Sequence, residues 1–137
     1  MDTYEYAGVT SILLIDDDEV VNFMNRLLLN NLGFTGNLIS CNNGIEGLDY
    51  IKDCVSNGSV LPEIILLDAN MPMMDATQFL DELLVNHKCL INKTKIFILS
   101  GFQNEEIENN FKSYPIEKIL EKPLTEKLLK DILIPPV

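Results

Sequence analysis

Basic residues are few in this chain: 10 Lys+Arg stand against 21 Asp+Glu among 137 residues, a formal net charge of −11. Nucleic acid is held through a broad basic surface that neutralises phosphates, so a direct polyanionic partner is excluded. Cysteine is scarce as well. Cys41, Cys54 and Cys89 form an odd set with no C-x-x-C spacing, which speaks against a disulfide framework or a thiolate zinc site and for a reducing compartment. The single histidine, His87, falls on the polar side of a helix end and reads as solvated rather than as a phospho-donor. No apolar run approaches the ~18 residues of a membrane span. The opening MDTYEYAGVTS is acidic and lacks the basic start and apolar stretch of a signal peptide. These absences predict a soluble cytoplasmic protein that touches neither membrane nor nucleic acid.

What is present is ordinary in bulk and uneven in detail. Hydrophobic residues make up 47% and charged residues 23%, the profile of one globular domain. At this size a domain buries roughly 70% of the surface its unfolded chain exposes, so neither disulfide nor structural metal is needed. The first 68 residues hold 11 of the 21 acids but only two of the 10 bases, Arg26 and Lys52. Four of those acids are adjacent, Asp16-Asp17-Asp18-Glu19. Asp18 and Glu19 suit the positive end of a helix dipole. Asp16 and Asp17 precede the helix and need another explanation.

With no internal repeat and no low-complexity segment, short apolar runs alternate with longer amphipathic ones, the pattern of a parallel sheet wrapped by helices. The runs 11–15, 38–41, 63–67, 95–100 and 118–120 are of strand length. The first, third and fourth are almost continuously apolar, as in strands covered on both faces. Helices are predicted over 18–32, 44–55, 75–86, 104–112 and 125–132. In the first, Val20, Val21, Met24, Leu27, Leu28 and Leu32 recur at helical spacing before Gly33. The result is a (βα)5 α/β domain. In such open sheets a site lies beyond the carboxyl ends of the strands.

At those ends stand Asp16-Asp17, Asp68, Ser100 and Lys122. Two like charges ~5 Å apart at an effective dielectric of ~20 repel by roughly 3 kcal/mol, and three carboxylates contain three such pairs. One lysine cannot cancel that. An all-oxygen donor set without His or Cys suits a hard cation, and a site completed by water and phosphate suits Mg²⁺ over Ca²⁺. Metal, lysine and hydroxyl around one carboxylate describe phosphoryl transfer onto Asp68, giving an aspartyl phosphate.

The strings ILLIDDDEV, IILLDANMPMMD, IFILSGF and LEKP, in this order and spacing, resemble the receiver domain of two-component response regulators over residues 11–134. The resemblance implies a flavodoxin-like doubly wound sheet of five parallel strands in the order 2-1-3-4-5. It implies Asp68 as phospho-acceptor, Asp17 as direct Mg²⁺ ligand, Asp16 as the acid holding the metal through water, and the Asn70 backbone carbonyl as a further ligand. Ser100 would be the hydroxyl that turns toward the phosphoryl group and Lys122 its pairing cation, with Lys122-Pro123 cis. The implied donor is a sensor histidine kinase or histidine phosphotransfer protein, docked near the first helix over Asn22, Asn25 and Arg26. The expected domain plan is an N-terminal extension (1–10), the receiver (11–134) and a short tail (135–137) after Pro135-Pro136, with no output domain. Such a chain, monomeric or weakly dimeric, would be no enzyme beyond its own phosphorylation and dephosphorylation. It would act by contact with a downstream protein or as a phosphorelay element.

Two positions depart from the family. Ala76 stands where glycine is usual, and Ile119 replaces the aromatic residue three positions before the lysine. Phe102, Phe111 and Tyr114 are candidate substitutes for that ring. A rival assignment exists too, because Asp16-Asp17-Asp18-Glu19-Val20 also fits the D-x-D-x-(T/V) signature of haloacid dehalogenase-like phosphatases with Asp16 as nucleophile. It leaves Asp68-Ala69-Asn70-Met71-Pro72 without a task. A third alternative is a pseudo-receiver scaffold that is never phosphorylated.

Overall fold

The computed structural model describes residues 9–134; the first eight residues of the expected extension and the tail lie outside them. Five parallel strands, β1 (Ser11–Ile15), β2 (Asn37–Cys41), β3 (Ile64–Asp68), β4 (Lys95–Ser100) and β5 (Lys118–Glu121), form one sheet in the order β2-β1-β3-β4-β5. Between and after them come α1 (Glu19–Asn31), α2 (Gly44–Asn57), α3 (Ala76–Asn86), α4 (Glu105–Phe111) and α5 (Glu126–Leu133). The expected architecture holds throughout, with boundaries shifted by one or two residues. One element escaped the sequence pattern, a 3-10 segment over Lys88–Asn92.

Strand side chains alternate between faces, and here each face is a core. Leu13, Ile15, Ile65, Leu67, Ile96 and Ile98 pack with Ile51 of α2, Phe79, Leu80 and Leu83 of α3, and Phe111 of α4. On the other face Ile12, Leu14, Ile64, Leu66, Phe97 and Leu99 meet Leu29 of α1 and Leu129 and Leu133 of α5. This double burial explains why β1, β3 and β4 are continuously apolar. Each fully buried Leu, Ile or Phe contributes about 1.5–3 kcal/mol, so the strands are held rigidly where they end.

Capping residues set where the helices begin. Asp18 accepts from the Val20 and Val21 amides at the start of α1. At α3, Asp75 and Gln78 cap one another's backbone reciprocally. Ala76 is fully buried as the first residue of that helix, so alanine replaces the usual glycine there in regular helical backbone. Gly58 ends α2 with φ of 66°, the left-handed region that glycine enters without a Cβ penalty.

Helix α1 corrects the sequence expectation in two respects. Its apolar spacing does not all face inward: Val20, Phe23, Met24 and Leu27 are exposed, while Asn22 and Asn25 are buried. The donor surface expected over Asn22, Asn25 and Arg26 is therefore not a surface at the two asparagines. Arg26 is half-buried, donating to the Leu38 carbonyl and Ser40 Oγ. For Asn22 the physical reason lies at the strand ends, where its amide donates to the Asp16 and Cys41 carbonyls.

Replacing the exposed Phe23 of α1, with the fully buried Phe79 of α3 as reference, tests which face of α1 is buried. Phe79→Ala is expected to lower unfolding free energy by about 3–5 kcal/mol, whereas Phe23→Ala should stay within about 0.5 kcal/mol in urea titration. Comparable losses at both positions would contradict the assigned face.

Candidate functional site

The order of the sheet reverses between β1 and β3, the place where open α/β sheets build sites. These strands pair in register, Ile15 beside Leu67, so Asp16 and Asp68 follow on adjacent strand ends. Carboxylate oxygens of Asp16, Asp17 and Asp68 all lie within 4.8 Å of one another. Asp16 and Asp68 are buried at 2% and 6% exposure, while Asp17 is exposed. Lys122 enters from beyond β5, its backbone N–H donating to the Ser100 carbonyl at 2.8 Å and the following Lys122-Pro123 bond cis. Its Nζ reaches Asp16 Oδ2 at 2.8 Å and Asp68 Oδ1 at 3.0 Å. The five residues scattered through the sequence are thus brought together, save that the Ser100 hydroxyl is turned aside.

Electrostatics follow from burial and from the imbalance of three acids against one base. Desolvation, with the Asp16 charge adding to it, pushes Asp68 up to about 6, although Lys122 and the Asn70 backbone N–H pull the other way. Burial works against the Lys122 ammonium, but its hydrogen bonds to Asp16 and Asp68 more than reverse this and its pKa is raised. Lysine stays charged and still leaves the pocket two negative charges in excess. A divalent cation with oxygen ligands matches both that charge and the donor set. The residues therefore fit Mg²⁺ on their own chemistry.

The neighbouring loops differ in what they offer. Ser100 Oγ donates to the Phe102 carbonyl at 2.7 Å and accepts from the Phe102 N–H at 3.1 Å. Gln103 Nε2 donates to the Ile119 carbonyl at 3.0 Å, tying the same loop to β5. Among the candidate aromatic substitutes, Phe111 is buried in the core and Tyr114 is tethered to Asp81 at 2.7 Å. Phe102 is exposed and joined to Ser100 through its own backbone.

One residue has a different place from the one its sequence suggests: Asn22, expected on the donor surface, is buried against the strand ends. Asn22 Nδ2 donates to the carbonyls of Asp16 (3.0 Å) and Cys41 (3.3 Å), and its buried Oδ1 has no partner among the described residues. A buried acceptor left unpaired costs about 1–3 kcal/mol. The signal available was a polar residue at a helical position six after Asp16, which solvent exposure explains equally well until the helix is docked.

Comparison with known proteins agrees with this geometry. The response regulator receiver domain profile matches residues 12–134, and the chain belongs to that family. A probable methanogenesis regulatory protein, FilR2 of Methanothrix harundinacea, is 25% identical over 129 residues, 94% of this chain and 82% of that protein. The sensor histidine kinase CheAY of Helicobacter pylori is 39% identical over 71 residues, 52% of this chain but only 8% of the kinase. This chain thus spans a small fraction of such a kinase. Among solved structures, a two-component response regulator from Cytophaga hutchinsonii superimposes with a TM-score of 0.83 at 25% identity, over 90% of this chain and 93% of that one. The receiver domain of the histidine kinase CKI1 from Arabidopsis thaliana, complexed with Mg²⁺ and BeF₃⁻, shares the fold with a TM-score of 0.75 at 22% identity, over 90% and 89% of the chains. Family membership displaces the haloacid dehalogenase alternative. Among the described residues no helix is long and apolar enough to cross a membrane.

The raised Asp68 pKa has a sign that can be checked. The folded chain holds this proton more tightly than the unfolded one, so protonation contributes stability as pH falls from about 6 toward 3.8, and the ionised group opposes folding above about 6. Metal-free Asp68→Asn is expected to melt higher than wild type at pH 8, by on the order of 5 °C, with the difference shrinking at pH 5. Scanning calorimetry of both proteins in chelator at the two pH values decides the matter; a variant melting lower at pH 8 would show that the Lys122 pairing outweighs desolvation.

Proposed function

We propose that this receiver accepts a phosphoryl group from a phosphohistidine of a sensor kinase or phosphotransfer protein onto Asp68. The observation that carries the proposal is the placement of Asp68 at the switch point of the sheet, against Lys122 Nζ at 3.0 Å and within 4.8 Å of Asp16 and Asp17. Mg²⁺ held by the carboxylates of Asp16, Asp17 and Asp68 with the Asn70 carbonyl would neutralise charge on the transferring group. An Asp68 oxygen attacks phosphorus as the bond to the donor imidazole nitrogen breaks. Lys122 stays paired with Asp16 and is placed to follow the new phosphoryl oxygens. Ser100 reaches that group by giving up both bonds to Phe102, which would couple phosphorylation to the loop after β4. Water attack on the aspartyl phosphate later returns the carboxylate and inorganic phosphate. Action through contact with a downstream protein, in a cytoplasmic phosphorelay, completes this reading.

Incubation with Mg²⁺ and acetyl phosphate, followed by borohydride trapping and peptide mapping, should place the modification on Asp68. Asp68→Asn should abolish it and remove the BeF₃⁻-dependent rise in melting temperature. A label on Asp16, or multiple-turnover hydrolysis of phosphate esters, would sink the proposal. Unchanged partner binding and signalling by Asp68→Asn would favour the pseudo-receiver instead.

The donor surface follows the corrected face of α1. Val20, Phe23, Met24 and Leu27 lie at i, i+3, i+4 and i+7 and are exposed, Val20 and Met24 lining a cavity with Lys122, the spacing by which one helix packs on another. Phe23→Asp is expected to slow phosphotransfer from a protein donor at least ~10-fold, as loss of an apolar anchor does. Labelling by acetyl phosphate, which needs no docking, should stay unchanged. Equal slowing with both donors would place the effect in the pocket rather than on α1.

A further inference from the structure

The buried amide of Asn22 is the least expected group near the pocket, and it has no role in the chemistry above. It lies in the first turns of α1 at 4% exposure. Its two donated bonds cross from the helix to the ends of two strands, at the Asp16 and Cys41 carbonyls. The Asp16 N–H already donates to that same Cys41 carbonyl at 3.1 Å. Asp16 Oδ1 accepts from the Asp18 N–H at 2.9 Å, and Oδ2 is taken by Lys122. With the Asn22 bond, the N–H, the carbonyl and both carboxylate oxygens of Asp16 each have a partner.

The carbonyl matters most for what comes next. It belongs to the peptide unit joining Asp16 to Asp17, and peptide units are planar. Fixing the oxygen therefore fixes the plane from which the Asp17 Cα departs. Asp17 is exposed, and among the described residues its side chain forms no hydrogen bond or ion pair. No side-chain partner among the described residues aims its carboxylate, and what is fixed is the backbone from which it projects.

We propose that Asn22 is a positioning residue for the metal site: its amide clamps the Asp16–Asp17 peptide plane and so holds the Asp17 carboxylate within reach of Asp16 and Asp68. This rests on the Mg²⁺ reading of the acidic cluster given above. Outer groups that orient metal ligands typically change affinity 10- to 100-fold when removed. Asn25 is the internal control, buried on the same helix at 5% exposure with no side-chain bond to a strand end among the described residues.

The test is Mg²⁺ titration of the full chain by calorimetry, well below the melting temperature, for wild type, Asn22→Leu, Asn22→Ala and Asn25→Leu. Both Asn22 variants are expected to bind Mg²⁺ at least 10-fold more weakly, with Asn25→Leu within about twofold of wild type. Asn22→Leu should also shift the Asp16 carbonyl carbon resonance in metal-free protein, a signature that lowered stability alone does not produce. Should the Asn22 variants fail to fold, the wild-type chain serves: its Asn22 side-chain amide protons should shift with the Asp17 amide during the Mg²⁺ titration, and those of Asn25 should not. Wild-type affinity in a folded Asn22 variant, equal loss in Asn25→Leu, or Asn22 protons indifferent to Mg²⁺ would overturn the clamp alone. A wild-type chain that takes no Mg²⁺ would overturn the metal reading and the clamp with it.

Discussion

Repulsion among Asp16, Asp17 and Asp68 is the constraint to which the other features of the site respond. Their oxygens lie within 4.8 Å of one another, two of the three groups are buried, and a single ammonium faces them. Such a cluster would relax apart on flexible backbone. It persists because the strands beneath it are buried on both faces and paired in register, so that separating the carboxylates would mean breaking the core. Burial, with the Asp16 charge adding to it, raises the pKa of Asp68. What remains is an excess of negative charge over the single Lys122 ammonium, and a divalent cation with oxygen ligands matches it.

Helix α1 meets the same strand ends. Its buried side carries two asparagines beside Leu29, while four apolar residues, Val20, Phe23, Met24 and Leu27, are exposed. Asn22 is buried there because its amide donates to the strand-end carbonyls of Asp16 and Cys41. Of the exposed apolar residues, Val20 and Met24 line a cavity with Lys122. The orientation of one helix thus sets both which amide meets the strand-end carbonyls and which apolar residues are exposed.

Much of the fold could be read from the chain because its signals are local. Continuous apolar runs at β1, β3 and β4 mark strands covered twice, Asp18 and Asp75 mark helix starts, and Gly58 marks a stop. The site was legible because its acids, hydroxyl and lysine each end or follow a strand, a position that topology converts into proximity. Less accessible were features that depend on how elements rotate. Asn22, Asn25 and Phe23 look alike as helical positions until the helix is docked. The 3-10 segment over Lys88–Asn92 carries no periodicity long enough to notice. Nor does the presence of Ser100 say that its hydroxyl is held by Phe102 and not by the pocket.

Sequence alone therefore determined the element order, the family and the identity of the acids, because hydrophobic period, capping chemistry and residue type are properties of short stretches of chain. Tertiary structure decided three further things: which side of α1 is buried, which strand-end carbonyls Asn22 satisfies, and which way the Ser100 hydroxyl points. Each is settled by competition between burial and hydrogen bonding across residues distant in the chain, and no local pattern encodes the outcome of that competition. The −11 charge shows the difference. As composition it says only that acids outnumber bases, and only the folded sheet brings three of those acids into one cluster.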